Sequence, residues 1–158
     1  MRTSFFRMRL AAGFAGILLF VVMTTTGSAH HSFAMYDLTV SKTMTGKLTR
    51  FVIGANHSQL IFELLNPDGT PKLDGNGKPV TWGVETGSAR QIAEKGVTVK
   101  NFQYGTIMTI TLHPLRDGRN FGALRNEDGL LIGCGLTMPE GGCNEKTGTL
   151  YIGGNSKG

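Results

Sequence analysis

The chain has 158 residues with a formal charge of +5, 23 glycines, four histidines and two cysteines. Arg2, Arg7 and Arg9 precede the first acid, Asp37, so the remainder holds 13 basic against 11 acidic groups, about +2. With no Lys or Arg cluster, that balance gives no phosphate-tracking stripe and excludes nucleic acid as the expected partner.

The basic start runs into a 14-residue apolar stretch, 10–23 (LAAGFAGILLFVVM), and then into the small residues TTTGSA at 24–29. Positive, apolar and small-residue segments in that order make a secretory signal peptide. A membrane anchor is the competing reading, but a spanning helix wants ~20 apolar residues. Cleavage is therefore expected, with Gly27 at −3 and Ala29 at −1 and His30 as the mature N-terminus. A cut after Ser28 would instead leave Ala29 first. The expected organisation is a signal at 1–29, one β-rich domain at 30–153 and a loose tail at 154–158. The mature protein would be periplasmic or secreted, with no membrane span left.

Beyond the signal, polar turns punctuate short apolar runs. The stretch 39–53 (TVSKTMTGKLTRFVI) is rich in β-branched residues and predicts a strand with a bulge or bend at Gly46. A second strand is predicted at 58–65 (SQLIFELL), stopped by Asn66-Pro67-Asp68-Gly69. The alternating 80–85 (VTWGVE) reads as its return, and the long connection between them as a floppy tip. One short helix is expected at 88–95 (SARQIAEK), with Ser88 as cap, Ile92 and Ala93 inward and Gly96 just past its end. A strand at 107–112 (IMTITL) ends at His113-Pro114, and Arg116-Asp117-Gly118 makes a turn. Residues 121–125 and 130–132 read as a hairpin, and 149–152 as a last short strand.

Three strands, a helix and then two or more strands must close or be covered to remove their edges. The predicted fold is mainly β: a small OB-like barrel of five or six antiparallel strands with one short helix. A small β-sandwich is the alternative. Cys134 and Cys143, without a C-x-x-C pattern and in an exported chain, read as a disulfide.

Candidate chemistry centres on His30, His31, His57 and His113. If His30 is residue one, its α-amine and ring can chelate one ion together, both being available near neutral pH. A further imidazole from His31, His57 or His113 would complete the nitrogen-rich set that Cu(II) prefers, with zinc as the second choice. Nucleophilic catalysis has no support, since no serine stands in G-x-S-x-G and Ser88 reads as a helix cap. Trp82, Phe102, Tyr104 and Phe121 could form an aromatic binding face, with core packing as the competing reading, favoured for Trp82.

Several segments in order carry a resemblance. They are HHSFAMYD (30–37), TGKLTRF (45–51), NHSQLIFEL (56–64), WGVETGS (82–88) and HPLRDG (113–118), followed by Asp128-Gly129. Together they resemble a family of small exported bacterial proteins known as a domain of unknown function. That family typically carries Asn-Pro-His where this chain has Ala55-Asn56-His57, and an aromatic where Gln59 stands. The stretch with Cys134 and Cys143 looks like an addition to it. The resemblance implies export and a compact β-rich domain whose landmarks include the histidine segments; it implies no activity. The expected function is non-enzymatic binding of a copper ion through His30. The alternative is a metal-free OB-like module that binds a small ligand or an envelope protein. A copper enzyme using an amine-terminal histidine brace is a third, less favoured reading.

Overall fold

The structure, a computed structural model, describes residues 33–153. The signal segment, His30, His31 and the tail lie outside the described residues. Among the described residues seven strands and one helix follow in order. They are β1 (Lys42–Val52), β2 (Gln59–Leu64), β3 (Thr81–Glu85), α1 (Ala89–Glu94), β4 (Ile107–Pro114), β5 (Phe121–Ala123), β6 (Leu130–Gly133) and β7 (Thr149–Ile152). The sheet order β1-β2-β3-β5-β4, closed by a β1–β4 pairing, makes a five-stranded barrel, and β6 and β7 extend it. This is the OB-type arrangement, not the sandwich. Among the described residues no helix is long and apolar enough to cross a membrane.

Alternation along the strands builds the core. Leu48, Leu60, Phe62, Val84, Met108, Ile110 and Leu112 are buried to 1% exposure or less and point into the barrel. Ile92, Val97 and Phe102, from α1 and the turns after it, join the same core. β1 serves two neighbours, pairing with β4 over Lys42–Lys47 and with β2 over Gly46–Val52. Gly46 sits at that changeover because the Phe62 ring lies where a Cβ would be. The register irregularity of β1 falls between Leu48 and Arg50, not at Gly46.

Several expectations need correction. All strand pairs are antiparallel except β3–β5, which is parallel. β3 leaves through α1, β4 enters beside β1, and the β4–β5 return brings β5 alongside β3 in the same direction. β5 and β6 do not form a hairpin: β5 pairs with β3 and β4, and β6 with β4 and β7. They share one edge of β4 end to end, β6 along Met108–Thr111 and β5 at His113–Pro114. β4 runs on through Pro114, which needs no N–H there and whose carbonyl accepts from Asp37 N at 2.8 Å. The β2–β3 connection is not floppy, since bridges Leu65–Pro71 and Leu73–Pro79 and Asp68 and Asp74 side chains tie it down. α1 has the expected Ser88 cap, completed by Gln91 as a capping box, and Gly96 takes φ 83°. Ile92 is buried as expected, but Ala93 faces solvent. Cys134 and Cys143 form the disulfide.

Candidate functional site

Residues 33–40 form a strap whose backbone pairs alongside the end of β4 and whose Tyr36 side chain covers residues of β5 and of the end of β4. Tyr36 bridges Leu115, Arg116 N donates to the Met35 carbonyl at 2.9 Å, and Asp37 N donates to Pro114. The Tyr36 side chain drops into a cluster with Leu115 and Ala123, flanked by Phe121, and is only 1% exposed. The Phe33 ring sits 6.3 Å from that of Tyr36, with the Arg125 guanidinium 5.9 Å away from it. Asp37 ends the first turn of the strap. Its carboxylate accepts from the Thr39 hydroxyl at 2.7 Å and the Thr39 amide at 3.1 Å, which lowers its pKa.

The Tyr36 hydroxyl faces Glu85 at the end of β3. Burial, then the negative charge of Glu85 and the hydrogen bond that carboxylate accepts, push the tyrosine pKa up to about 12. On its other side Glu85 meets His57 Nδ1 at 3.3 Å. His57 stands in the β1–β2 loop, whose backbone is fixed from both sides. Ser58 is fully buried, its hydroxyl accepting from Gly54 N at 3.2 Å and its carbonyl from Thr86 N at 2.8 Å. The His57 side chain is about half exposed at 47%, against 21% for Glu85.

His113 is placed differently. It points outward from β4 yet is only 4% exposed, because the strap and the 126–129 turn cover it. Its Nδ1 lies 2.8 Å from the Val40 carbonyl and its Nε2 3.1 Å from Asp128 Oδ2. Arg125 approaches the same Asp128 oxygen at 3.6 Å. Both ring nitrogens of His113 are therefore engaged.

Register places Gln59, Glu85, Ala123 and His113 in one row across β2, β3, β5 and β4. Glu85 and His113 are two strands apart, roughly 10 Å at ordinary strand spacing. Each described histidine thus has its own carboxylate, and the two do not share one. Among the described residues no group of three or more His, Cys, Asp or Glu side chains converges as a metal site. The four aromatic residues also divide: Trp82 and Phe102 are in the core, Tyr104 is 76% exposed and Phe121 lies beside Tyr36.

Sequence reasoning missed Tyr36, Glu85 and Asp128 as partners. The alternation in VTWGVE does turn Glu85 outward, and Tyr36 sits within HHSFAMYD, but nothing local pairs them. No curated protein and no solved structure matches the chain. A family model described as a family of unknown function (DUF6152) matches residues 18–125, which span the strap and all five barrel strands, and the chain belongs to that family.

Proposed function

We propose that this is an exported, non-enzymatic binding protein, periplasmic or secreted, that takes a copper ion through its mature N-terminal residue, His30. The observation that carries the reading is the state of His57. Nδ1 of His57 faces the Glu85 carboxylate at 3.3 Å, Nε2 is the ring nitrogen turned away from that contact, and the ring is about half exposed. A metal-binding imidazole is oriented in this way, by a carboxylate behind its other nitrogen. His113 leaves the donor set because neither of its nitrogens is free. On this reading the donors are the ring and α-amine of His30 together with an imidazole nitrogen of His57, a nitrogen set of the kind Cu(II) prefers, zinc being the second choice. His31 adds a neighbouring imidazole to the same terminus.

Mass spectrometry of the exported protein tests the premise, and a start other than His30 removes the chelating amine. Calorimetry with Cu(II) on the mature form should show a near-stoichiometric site. Its affinity should fall by more than tenfold in His57→Ala and by about 10- to 100-fold in Glu85→Gln, which keeps the shape but not the charge. Equal affinity in His30→Ala rejects the donor set.

A second reading has its own observation. Arg50, Ile61, Gly83 and Phe121 form the neighbouring row on the outer face. Ile61 and Phe121 are half-buried there and lean over Gly83, an apolar patch on the β2–β3 side of the barrel. OB barrels bind ligands on that side. If the mature protein takes up no metal, this face carries the binding of a small ligand or an envelope protein.

A further inference from the structure

The first part of β1 is a sheet edge that closure of the barrel leaves open. Main-chain groups of a strand point alternately to its two neighbours. Gly105 N donates to the Leu48 carbonyl and Leu48 N to the Thr106 carbonyl, both at 2.8 Å. Even-numbered residues of this stretch therefore face the β4 side, and the odd-numbered Thr43, Thr45 and Lys47 face the β2 side. There the register sets Gly46 opposite Leu64 and ends, with one further bond from Leu65 N to the Thr45 carbonyl at 3.0 Å. Continued by the same step, it would set Thr43 opposite Pro67, which has no N–H to give. The chain turns away instead, Gly69 N donating to the Asn66 carbonyl at 2.9 Å. Among the described residues the Thr43 N–H and carbonyl have no main-chain partner on that side.

That edge lines a cleft of about 1010 Å³, of ligand-binding size. Thr43 and Thr45 lie between two walls, the 66–68 turn and the loop 138–144. Both walls are fixed before anything binds. The loop is held by the Cys134–Cys143 disulfide and by the Thr109 hydroxyl, which donates to the Cys143 carbonyl at 2.7 Å. The turn is locked by the Asp68 carboxylate, which accepts from the Thr70 amide and hydroxyl. A Cβ on Gly69 would stand 3.3 Å from the Met138 Cβ, so the two walls meet. Leu65 and Met138 supply apolar surface, and Lys72 stands against Asp68 and Glu140. Such nearly balanced charge suits a neutral, dipolar main chain and not a phosphate or other polyanion. From the open edge and its preformed walls we propose that this cleft takes an extended peptide, which adds to β1 at Thr43 as a further strand. In β-addition the main-chain bonds give affinity and alternate side chains give selectivity; here one side-chain face would rest on Leu65 and Met138. The cleft lies at the start of β1, whereas His57 follows its far end, so the peptide site is independent of the metal reading.

The test uses the mature protein with a chelator present. In the free protein, hydrogen exchange followed by NMR should find the Thr43 amide unprotected and the Met44 amide, which faces β4, protected. The protein is then panned against a phage library of short random peptides, and enriched sequences are synthesised with acetylated and amidated ends. At saturation such a peptide should slow exchange of the Thr43 amide about tenfold or more, because that amide gains a hydrogen bond. Thr43→Pro removes an N–H that the β4 ladder does not use, so the fold should be kept. Its affinity for the peptide should fall about tenfold or more, while Thr43→Ala, which keeps the main chain, should bind within about threefold. Peptides N-methylated at alternate residues test the same bonds from the ligand, whether or not Thr43→Pro folds. One methylation register should abolish binding and the other should spare it. A protected Thr43 amide in the free protein, a library without enriched peptides, or equal tolerance of both methylation registers overturns the proposal. So does a peptide that binds Thr43→Pro as tightly as the unaltered protein, or one whose NMR shifts fall on the Ile61–Phe121 face instead.

Discussion

Tyr36 is a buried phenol set against a carboxylate, an arrangement that is comfortable only while the phenol keeps its proton. Its pKa is raised to about 12 by burial and then by Glu85, whereas an unfolded tyrosine ionises near 10. Between those values the native state holds a proton that the unfolded state has lost. The associated stability is therefore fully present below about pH 10 and disappears as pH rises towards 12. A shift of this size corresponds to roughly 2–3 kcal/mol. Tyr36→Phe keeps the ring against Leu115 and Ala123 but has no proton to lose. The stability difference between the unaltered protein and this variant, from urea unfolding between pH 9 and 11.5, should shrink steadily as pH rises. A constant difference would show that the hydroxyl does not face Glu85 as described.

Gly83 makes a similar argument from shape. A Cβ there would stand 2.5 Å from Phe121 Cδ2 and 2.6 Å from Cε2. Gly83→Ala should cost about 1–3 kcal/mol by overpacking. Phe121→Ala alone also destabilises, because it strips contacts from the Tyr36 cluster. The double variant should be more stable than the two single losses added together, since the collision is gone. Additive losses in a denaturation cycle would mean that the two residues do not touch.

At the scale of elements, local chemistry was legible and long-range pairing was not. Ser88 and Gln91 sit three residues apart before an apolar Ile92, so the capping box could be read directly from SARQIAEK. The strand periods of LIFEL and TWGVE are likewise visible in the sequence, with Trp82 favoured for the core, and Leu60, Phe62, Trp82 and Val84 are all buried. The turn Arg116-Asp117-Gly118 forms as its residues suggest, with Gly118 at φ 80° and Asp117 accepting from Arg119 N. By contrast, the neighbour of β5 depends on which edge of β4 is already taken, information held some 70 residues away in β1. The short span 121–125 to 130–132 looked like a hairpin for want of that constraint. The site divides in the same way. Histidines announced themselves as chemical groups, but the partners of His57 and His113 come from β3, the strap and the 126–129 turn. A residue type signals what chemistry is available; only closure of the barrel decides which acceptor each ring nitrogen meets.

For the whole molecule, the family match and the folded unit do not have the same extent. The match ends at Arg125, just past β5, while β6, β7 and the Cys134–Cys143 disulfide lie beyond it. Those later residues are nevertheless built into the fold. β5 covers β4 only at His113 and Pro114, and β6 covers Met108–Thr111 on the same edge. Leu131 and Ile152 are in the main core, and Ile132 and Cys143 form a second apolar layer with Ile107. The Thr109 hydroxyl also donates to the Cys143 carbonyl at 2.7 Å. The disulfide closes a short loop, so Cys134→Ser with Cys143→Ser should cost about 2–3 kcal/mol. Because no barrel strand is removed, that variant should still unfold cooperatively in urea at a lower midpoint. Ending the chain after Arg125 is a different kind of change: it uncovers half of the β4 edge and opens the core where Leu131 and Ile152 stood. An uncovered apolar edge strand is a template for association, so the truncated protein should lose its near-ultraviolet circular dichroism and aggregate. A soluble, cooperatively folding 33–125 fragment would show that β6 and β7 merely decorate a barrel complete without them.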